Sequence, residues 1–500
     1  MKKIILVLLV SILFTSCENW LDVKPFDSME VEKVFPDERT TNSALNGIYV
    51  NITRDELYGR DLSCGMLEVM AQHFVVPSQA SPEHTYRELN DFNYTSEKPK
   101  ELLGDSFKYA YQTIADCNEF LAQVRNGAEN YTTEKLNLYY GEALALRTLL
   151  HFDMMRLFGP MGTEKERSSV PYYSESTNNA KPILTASAMI DSLLVDIDLS
   201  INYLKNDPVL TGGVMTGKDQ TINFFNSFRN FRMNYYAVNA LKARILLYKG
   251  DEASLTAAYQ IATNLIEGKD PQNASKSTNF NNEFEFRRAQ LSDVTEQVYF
   301  SELIFANHNT ARQAVFKLLF SSELDNNTIL GGGKAFHENL YGVSSTALGG
   351  LDPGPRRTMW KYDDLKNLYE FNRLAVYKEN INFPYHTQVQ SMIRMGELYL
   401  IAAETAPSVE LKRSWVEKLR TGKGYDPGNA DGLTEAQLNT LIGLEFEKET
   451  YGEGQYFFYA KRKAMNLRNQ NNATVTMDRA KFVPPLPNIE SDYRTSETDL

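Results

Sequence analysis

The chain is poor in the residues that build metal and disulfide chemistry: its 500 residues hold only 3 Cys and 6 His. The histidines, at positions 73, 84, 151, 308, 337 and 386, stand singly, and no His-Glu-x-x-His or Cys-x-x-Cys spacing occurs. A zinc site therefore has little support. With 28 Gly and 18 Pro the sequence is neither collagen-like nor of low complexity. Positive charge is also short: 52 Lys and Arg face 64 Asp and Glu, a net charge of -12. That balance argues against nucleic acid as a partner, because neutralising phosphates takes clustered cations. No apolar run reaches the roughly 20 residues that cross a hydrocarbon core as a helix. What the chain does have is 42% hydrophobic residues, with 28 Tyr and 27 Phe against 3 Trp. This is ample for one large core or about three ordinary domains, and too much for disorder.

The N-terminus reads as an export signal. Met1-Lys2-Lys3 is a basic start, Ile4 to Phe14 is an apolar stretch, and Leu13-Phe14-Thr15-Ser16 leads into Cys17. The apolar stretch is too short to span a bilayer but suits a secretory signal peptide. Small residues directly before a Cys resemble a bacterial lipoprotein signal, so residues 1–16 are expected to be removed and Cys17 lipidated. The lipid is then the membrane anchor of the mature chain. Cys64 and Cys117 remain, either as a pair or as two small buried apolar residues.

Most of the remaining sequence has helical periodicity. Helices are expected over Tyr139–Phe158, stopped by Gly159-Pro160, over Tyr235–Tyr248 and Leu255–Ile266 around a Gly250 turn, and over Met392–Ala406 and Leu411–Arg420. Others fit Arg39–Ile52, Leu102–Val124, Ala186–Leu204 and Leu433–Tyr451. Ala240, Ala243, Ala257 and Ala262 would let two antiparallel helices approach closely, the logic of a tetratricopeptide unit. No fixed repeat length is kept, so the pairs must be separated by insertions. Residues 77–99, 207–230, 270–284 and 330–362 read as those insertions, being long loops of the kind that usually carry function. The expected fold class is thus all-α, with tetratricopeptide-like helix pairs carrying long loop-rich insertions.

Catalytic motifs are missing. Gly212-x4-Gly217-Lys218 begins like a phosphate-binding loop, but Asp219 stands where a hydroxyl should meet magnesium, and a helix precedes it instead of a strand. No Gly-x-Ser-x-Gly elbow is present. Acid pairs such as Glu445/Glu447 and Asp363/Asp364 carry no geometric information from spacing alone, and Leu444–Tyr451 fits an ion-paired helix face. No catalytic residue, cofactor or metal is expected.

Six blocks, in order, resemble the SusD/RagB-like outer-membrane nutrient-binding lipoproteins of Bacteroidetes. They are Cys17-x3-Leu21-Asp22-Val23-x-Pro25; Glu142-Ala-x-Ala-Leu-Arg147-x3-His151-Phe152-Asp153-x2-Arg156-Leu-Phe158-Gly159; Ala240-Leu-Lys-Ala243-Arg244-x-Leu-Leu-Tyr248-x-Gly250-Asp251; Arg394-Met-Gly-Glu397-Leu-Tyr-Leu-Ile-Ala-Ala403-Glu404; Glu445-Phe-Glu447-x4-Gly452 through Arg462; and Pro484-Pro485-Leu486-Pro487-x2-Glu490. Gln455-Tyr456-Phe457-Phe458 replaces the family's Arg-Trp-x-Asp, and Gly396 an Ala.

The resemblance implies one SusD-like domain over residues 17–500, with a helical part to about 270 and a loop-rich part from about 271. It implies a non-catalytic, lipid-anchored surface protein that captures an oligosaccharide or peptide and passes it to a SusC-like TonB-dependent outer-membrane barrel. A tetratricopeptide-like protein scaffold and an extracellular glycoside hydrolase are the alternatives. Saccharide recognition needs aromatic faces edged with polar groups. The ligand is therefore expected where 77–94 and 330–362 converge, with Trp360 as platform, Tyr86, Tyr341 and Tyr362 extending it, and His84, Arg87 and Arg356 at the edges. The Phe-rich stretch Phe224–Phe231 is the other location.

Overall fold

The computed structural model describes residues 37–78, 83–214, 227–287, 298–343, 348–375 and 388–491. The export signal, Cys17, Phe224 and the Lys218-Asp219 pair lie outside the described residues. Helices dominate, and most long ones start at a short polar side chain that accepts from the first turn. Asp37 accepts from Thr40 N at 2.8 Å to open α1 (Glu38–Asn51). α2 (Glu97–Asn126) carries Pro99 in its first turn, where the missing N–H costs nothing. Thr132, Thr185, Asn234 and Asp251 cap α3 (Thr133–Phe158), α4 (Ala186–Tyr203), α5 (Tyr235–Lys249) and α6 (Glu252–Ile266).

α3 is the axis. Every residue from Gly141 to Phe158 is buried, as befits a helix covered on all sides. α2 and α4 pack along it, and α4 ends so close that a Cβ at residue 141 would lie 2.4 Å from Leu204 Cγ. The α5–α6 pair turns at Gly250, whose φ of +72° forms a left-handed cap. Ala240, Ala243 and Ala262 are buried along it, with Ala258 buried in place of the expected Ala257, which is half-buried. The architecture is all-α with antiparallel pairs, as the periodicity indicates.

Toward the C-terminus follow α7 (Arg312–Leu319), α8 (Met395–Thr405), α9 (Val409–Gly422), α10 (Glu435–Thr450) and α11 (Tyr456–Lys463). Two expectations change here. Met392–Arg394, read as the start of a helix, belongs instead to a strand. β1 (Leu303–His308) pairs antiparallel with the strand Val389–Arg394, because a short segment buried on both faces suits a strand as well as a helix. Residues 330–362, read as loop, supply β2 (Gly331–Gly332) and β3 (Trp360–Asp363). These flank β4 (Leu368–Phe371) in a three-stranded sheet, ordered β2-β4-β3.

A buried ion network ties this half together. Arg394 reaches Glu449 at 2.5 Å, Glu453 at 2.7 Å and Glu302 at 3.1 Å, while Lys423 joins Glu302 and Glu449. Arg420 and Arg356 hold Glu445 at 2.5 and 2.9 Å. Glu445 is thus bound within this network, and Glu447 pairs with Arg468 at 2.6 Å. Cys64 and Cys117 are both buried free thiols, and burial pushes each up to about 12. They behave as small core residues.

Candidate functional site

An open cavity of about 360 Å³ lies between α1, the turn at residues 227–232 and the end of β1. It is lined by Asn46, Tyr49, Val50, Ser227, Phe228, Phe231, Arg232 and His308. Its aromatic wall depends on an unusual turn. Phe228 has φ +51°, a left-handed conformation that costs a bulky residue energy and persists only when its surroundings fix it.

Arg229 does that fixing. Fully buried, it places Nε and one Nη on Asp207 at 3.0 and 2.7 Å and the other Nη on Glu142 at 2.6 Å. Asn234 Nδ2 clamps the same turn to β1, donating to the carbonyls of Arg229 and Ile304, each at 2.9 Å. Phe228 and Phe231 then stand with ring centroids 6.5 Å apart, and His308 meets Phe231 edge-on at 6.1 Å.

Glu142, on α3, is the hub beneath the cavity. The Tyr49 hydroxyl donates to it at 2.8 Å, and Arg232 reaches it at 3.1 Å. Arg232 also donates to Asn46 Oδ1 at 2.6 Å, and its guanidinium lies 5.2 Å over the Tyr49 ring. Burial would raise the Glu142 pKa, but Arg229 and Arg232 outweigh it and hold the carboxyl below its ordinary range. Burial and the Glu142 charge push the Tyr49 hydroxyl well up. Val50 is 65% exposed at the rim. Rings with polar edges suit a planar, hydroxyl-rich ligand. Among the described residues of the lining there is no carboxylate.

Four residues expected at the ligand face are core side chains. Trp360 is 7% exposed, packed against Phe371 and Tyr451 at 4.9 Å each, and its Nε1 donates to Tyr341 Oη at 3.2 Å. Tyr341 is 1% exposed. Tyr86 is buried with its hydroxyl on Asp61 at 2.6 Å, and Arg356 is spent on Asp352, Glu445 and Glu449. The physical reason is the sheet: Trp360 faces inward from β3 onto Phe74 and Phe371.

The remaining three are half-buried. Arg87 pairs with Asp91 and donates to Val76 O at 3.2 Å, and His84 Nδ1 accepts from Tyr86 N at 3.2 Å. Tyr362 meets Tyr369 across the strands at 4.9 Å, with Lys334 Nζ 4.9 Å from its ring. Beside the two insertions, Val75 N donates to Gly331 O at 2.8 Å, and His84 lies next to Thr328.

Among the cavity residues, Ser227, Phe228 and Phe231 fall in the stretch named as the other location. Asn46, Tyr49, Arg232 and His308 were not anticipated. One signal for them exists in the sequence: Val50 is apolar yet off the inward stripe of Thr41, Leu45 and Ile48.

Residues 19–210 match the SusD-like family model described as "Starch-binding associating with outer membrane". No curated protein matches the chain. Solved structures with the same fold include a SusD superfamily protein from Bacteroides fragilis, with TM-score 0.66 and 18% identity, covering 92% of this chain and 98% of that one. Another, from Bacteroides thetaiotaomicron, has TM-score 0.64 and 18% identity, covering 91% and 97%. A SusD-like carbohydrate binding protein from Bacteroides vulgatus has TM-score 0.65 and 16% identity, covering 93% and 98%.

Proposed function

We propose that this chain, a SusD/RagB-like protein by its family match and its fold, binds a carbohydrate at the outer membrane without catalysing its breakdown. The observation that carries the reading is the cavity of Tyr49, Phe228 and Phe231, edged by Asn46, Arg232 and His308, with no carboxylate among its described lining residues. The family description and the carbohydrate-binding relative of the same fold support it.

The finer reading is capture at the cell surface, with Cys17 lipidated, and delivery of the glycan to a SusC-like TonB-dependent barrel. A peptide ligand is the alternative cargo. Calorimetry against a panel of oligosaccharides is the test. Phe231→Ala should weaken binding by about 1–3 kcal/mol, tenfold or more, as loss of an aromatic anchor does. Unchanged affinity in a folded variant would remove the ligand from this cavity, and new reducing ends during incubation would make the protein a hydrolase. Mass spectrometry of the mature N-terminus tests Cys17, and a mild-detergent pull-down tests the barrel.

A second surface is favoured by one observation. Tyr362 and Tyr369 are directly paired across β3 and β4 and half-exposed, with His337 stacked beneath Tyr369 at 3.7 Å. Of the seven residues expected from sequence, Tyr362 is the aromatic one that keeps an accessible face. Tyr362→Ala separates this shelf from the cavity.

A further inference from the structure

We propose that Glu142 sets the charge class of the ligand: by cancelling Arg232 it makes the cavity select uncharged saccharides over those bearing carboxylate or sulfate. This rests on the carbohydrate-binding reading above.

Among the described residues of the lining, Arg232 is the only Lys or Arg. Sites that capture anions present a guanidinium fork whose donors face the ligand. Here one arm is 3.1 Å from Glu142 and another 2.6 Å from Asn46 Oδ1. Glu142 is completely buried and shared with Arg229, which in turn holds Asp207. Among the described residues, two cations and two anions thus form one contiguous cluster whose charges balance.

An anionic sugar would have to draw Arg232 away from Glu142. Separating this part-buried pair leaves the fully buried Glu142 carboxylate with Arg229 as its remaining cation among the described residues, which is unfavourable. An uncharged sugar asks for no such exchange. Its hydroxyls can meet the Asn46 amide and the His308 edge while its apolar face stacks on Phe231 or Tyr49. The chain's net charge of -12 adds a weak repulsion of anions at longer range. Glu142 is therefore a positioning residue. It never meets the ligand, but it orients Tyr49 and Arg232 and silences the charge of the latter.

The experiment compares neutral oligosaccharides with counterparts carrying a C6 carboxylate or a sulfate, at about 50 and 500 mM salt, on the wild type, Glu142→Gln and Phe231→Ala. The wild type should bind the neutral sugar at least about tenfold more tightly than the acidic one, with less than about twofold salt dependence. Glu142→Gln should shift the acidic-to-neutral affinity ratio upward by about tenfold at low salt and lose that gain at high salt, a change that general loosening would not produce. Should Glu142→Gln fail to fold, the wild-type preference and its salt profile decide alone. An acidic sugar bound best by the wild type, weakened by salt and lost in Phe231→Ala, would overturn the charge assignment while leaving carbohydrate binding intact. A neutral preference that Phe231→Ala leaves untouched would overturn it for this cavity. No binding of either sugar class would instead sink the carbohydrate-binding reading itself.

Discussion

Raising the pH should open a buried clasp between distant parts of the chain. His73, fully buried, places Nδ1 2.5 Å from Glu68 and Nε2 3.5 Å from Glu447 of α10. The Tyr451 and Tyr456 rings stack on it at 4.3 and 5.0 Å, and the other Glu68 oxygen accepts from Gly454 N at 2.7 Å. Burial opposes the imidazolium, but Glu68 and Glu447 outweigh it and raise the pKa from 6.5 to about 9. A raised folded value means that the charged ring stabilises the fold fully below 6.5, and that this contribution is lost as the pH climbs through about 9. The shift amounts to about 3 kcal/mol. Urea unfolding of the wild type and His73→Gln at intervals from pH 6 to about 10 isolates it. The variant loses the stacking contacts at every pH, so only the change in the difference counts. That difference should shrink by about 3 kcal/mol across the window. Parallel curves would refute the charged clasp.

Two further outcomes follow from packing. Trp360→Ala should cost about 3–5 kcal/mol of unfolding free energy and leave saccharide affinity unchanged, read by denaturant titration beside calorimetry. A folded variant with weakened binding would contradict the burial argument. Gly47→Ala, in the middle of α1 where an added Cβ meets no atom within 4 Å, should stabilise the protein by about 0.5–1 kcal/mol, and a destabilised variant would mean that this face of α1 is not open.

The helices were legible because each carried its own punctuation. Gly159-Pro160 stops α3 at the expected residue, and Gly250 with Asp251 closes one helix and caps the next. The strand at Val389–Arg394 was not, because six residues buried on both faces show neither period, and only the pairing with Leu303–His308 decides between helix and strand. Trp360 misled for a related reason. In a Gly- and Pro-rich stretch it looked like a loop side chain, whereas the partner strand that turns it inward, Leu368–Phe371, begins eight residues later in the chain. The cavity was the least legible feature. Its walls come from residues 46–50, 227–232 and 308, and what joins the first two is Glu142, about 90 residues from each.

The recognisable blocks themselves explain why the family resemblance is legible and the site is not. Their charged positions are mostly partners of one another. Arg244 of the third block holds Glu397 of the fourth at 2.6 Å, and Arg462 of the fifth holds Glu404 of the fourth with two bonds of 2.8 Å. Arg156 of the second reaches Gln455 of the fifth at 3.0 Å, and Arg394 of the fourth binds Glu449 and Glu453 between α10 and α11. Breaking a buried pair of this kind by removing one partner costs about 3–5 kcal/mol, so these residues encode the register in which distant helices dock. Glu142 is the exception that links the two levels. It sits in the second block like the other scaffold acids, yet its partners Tyr49, Arg229 and Arg232 shape the cavity. A site suspended from one scaffold residue can change its loop rings without disturbing the framework, which is how one fold serves different ligands.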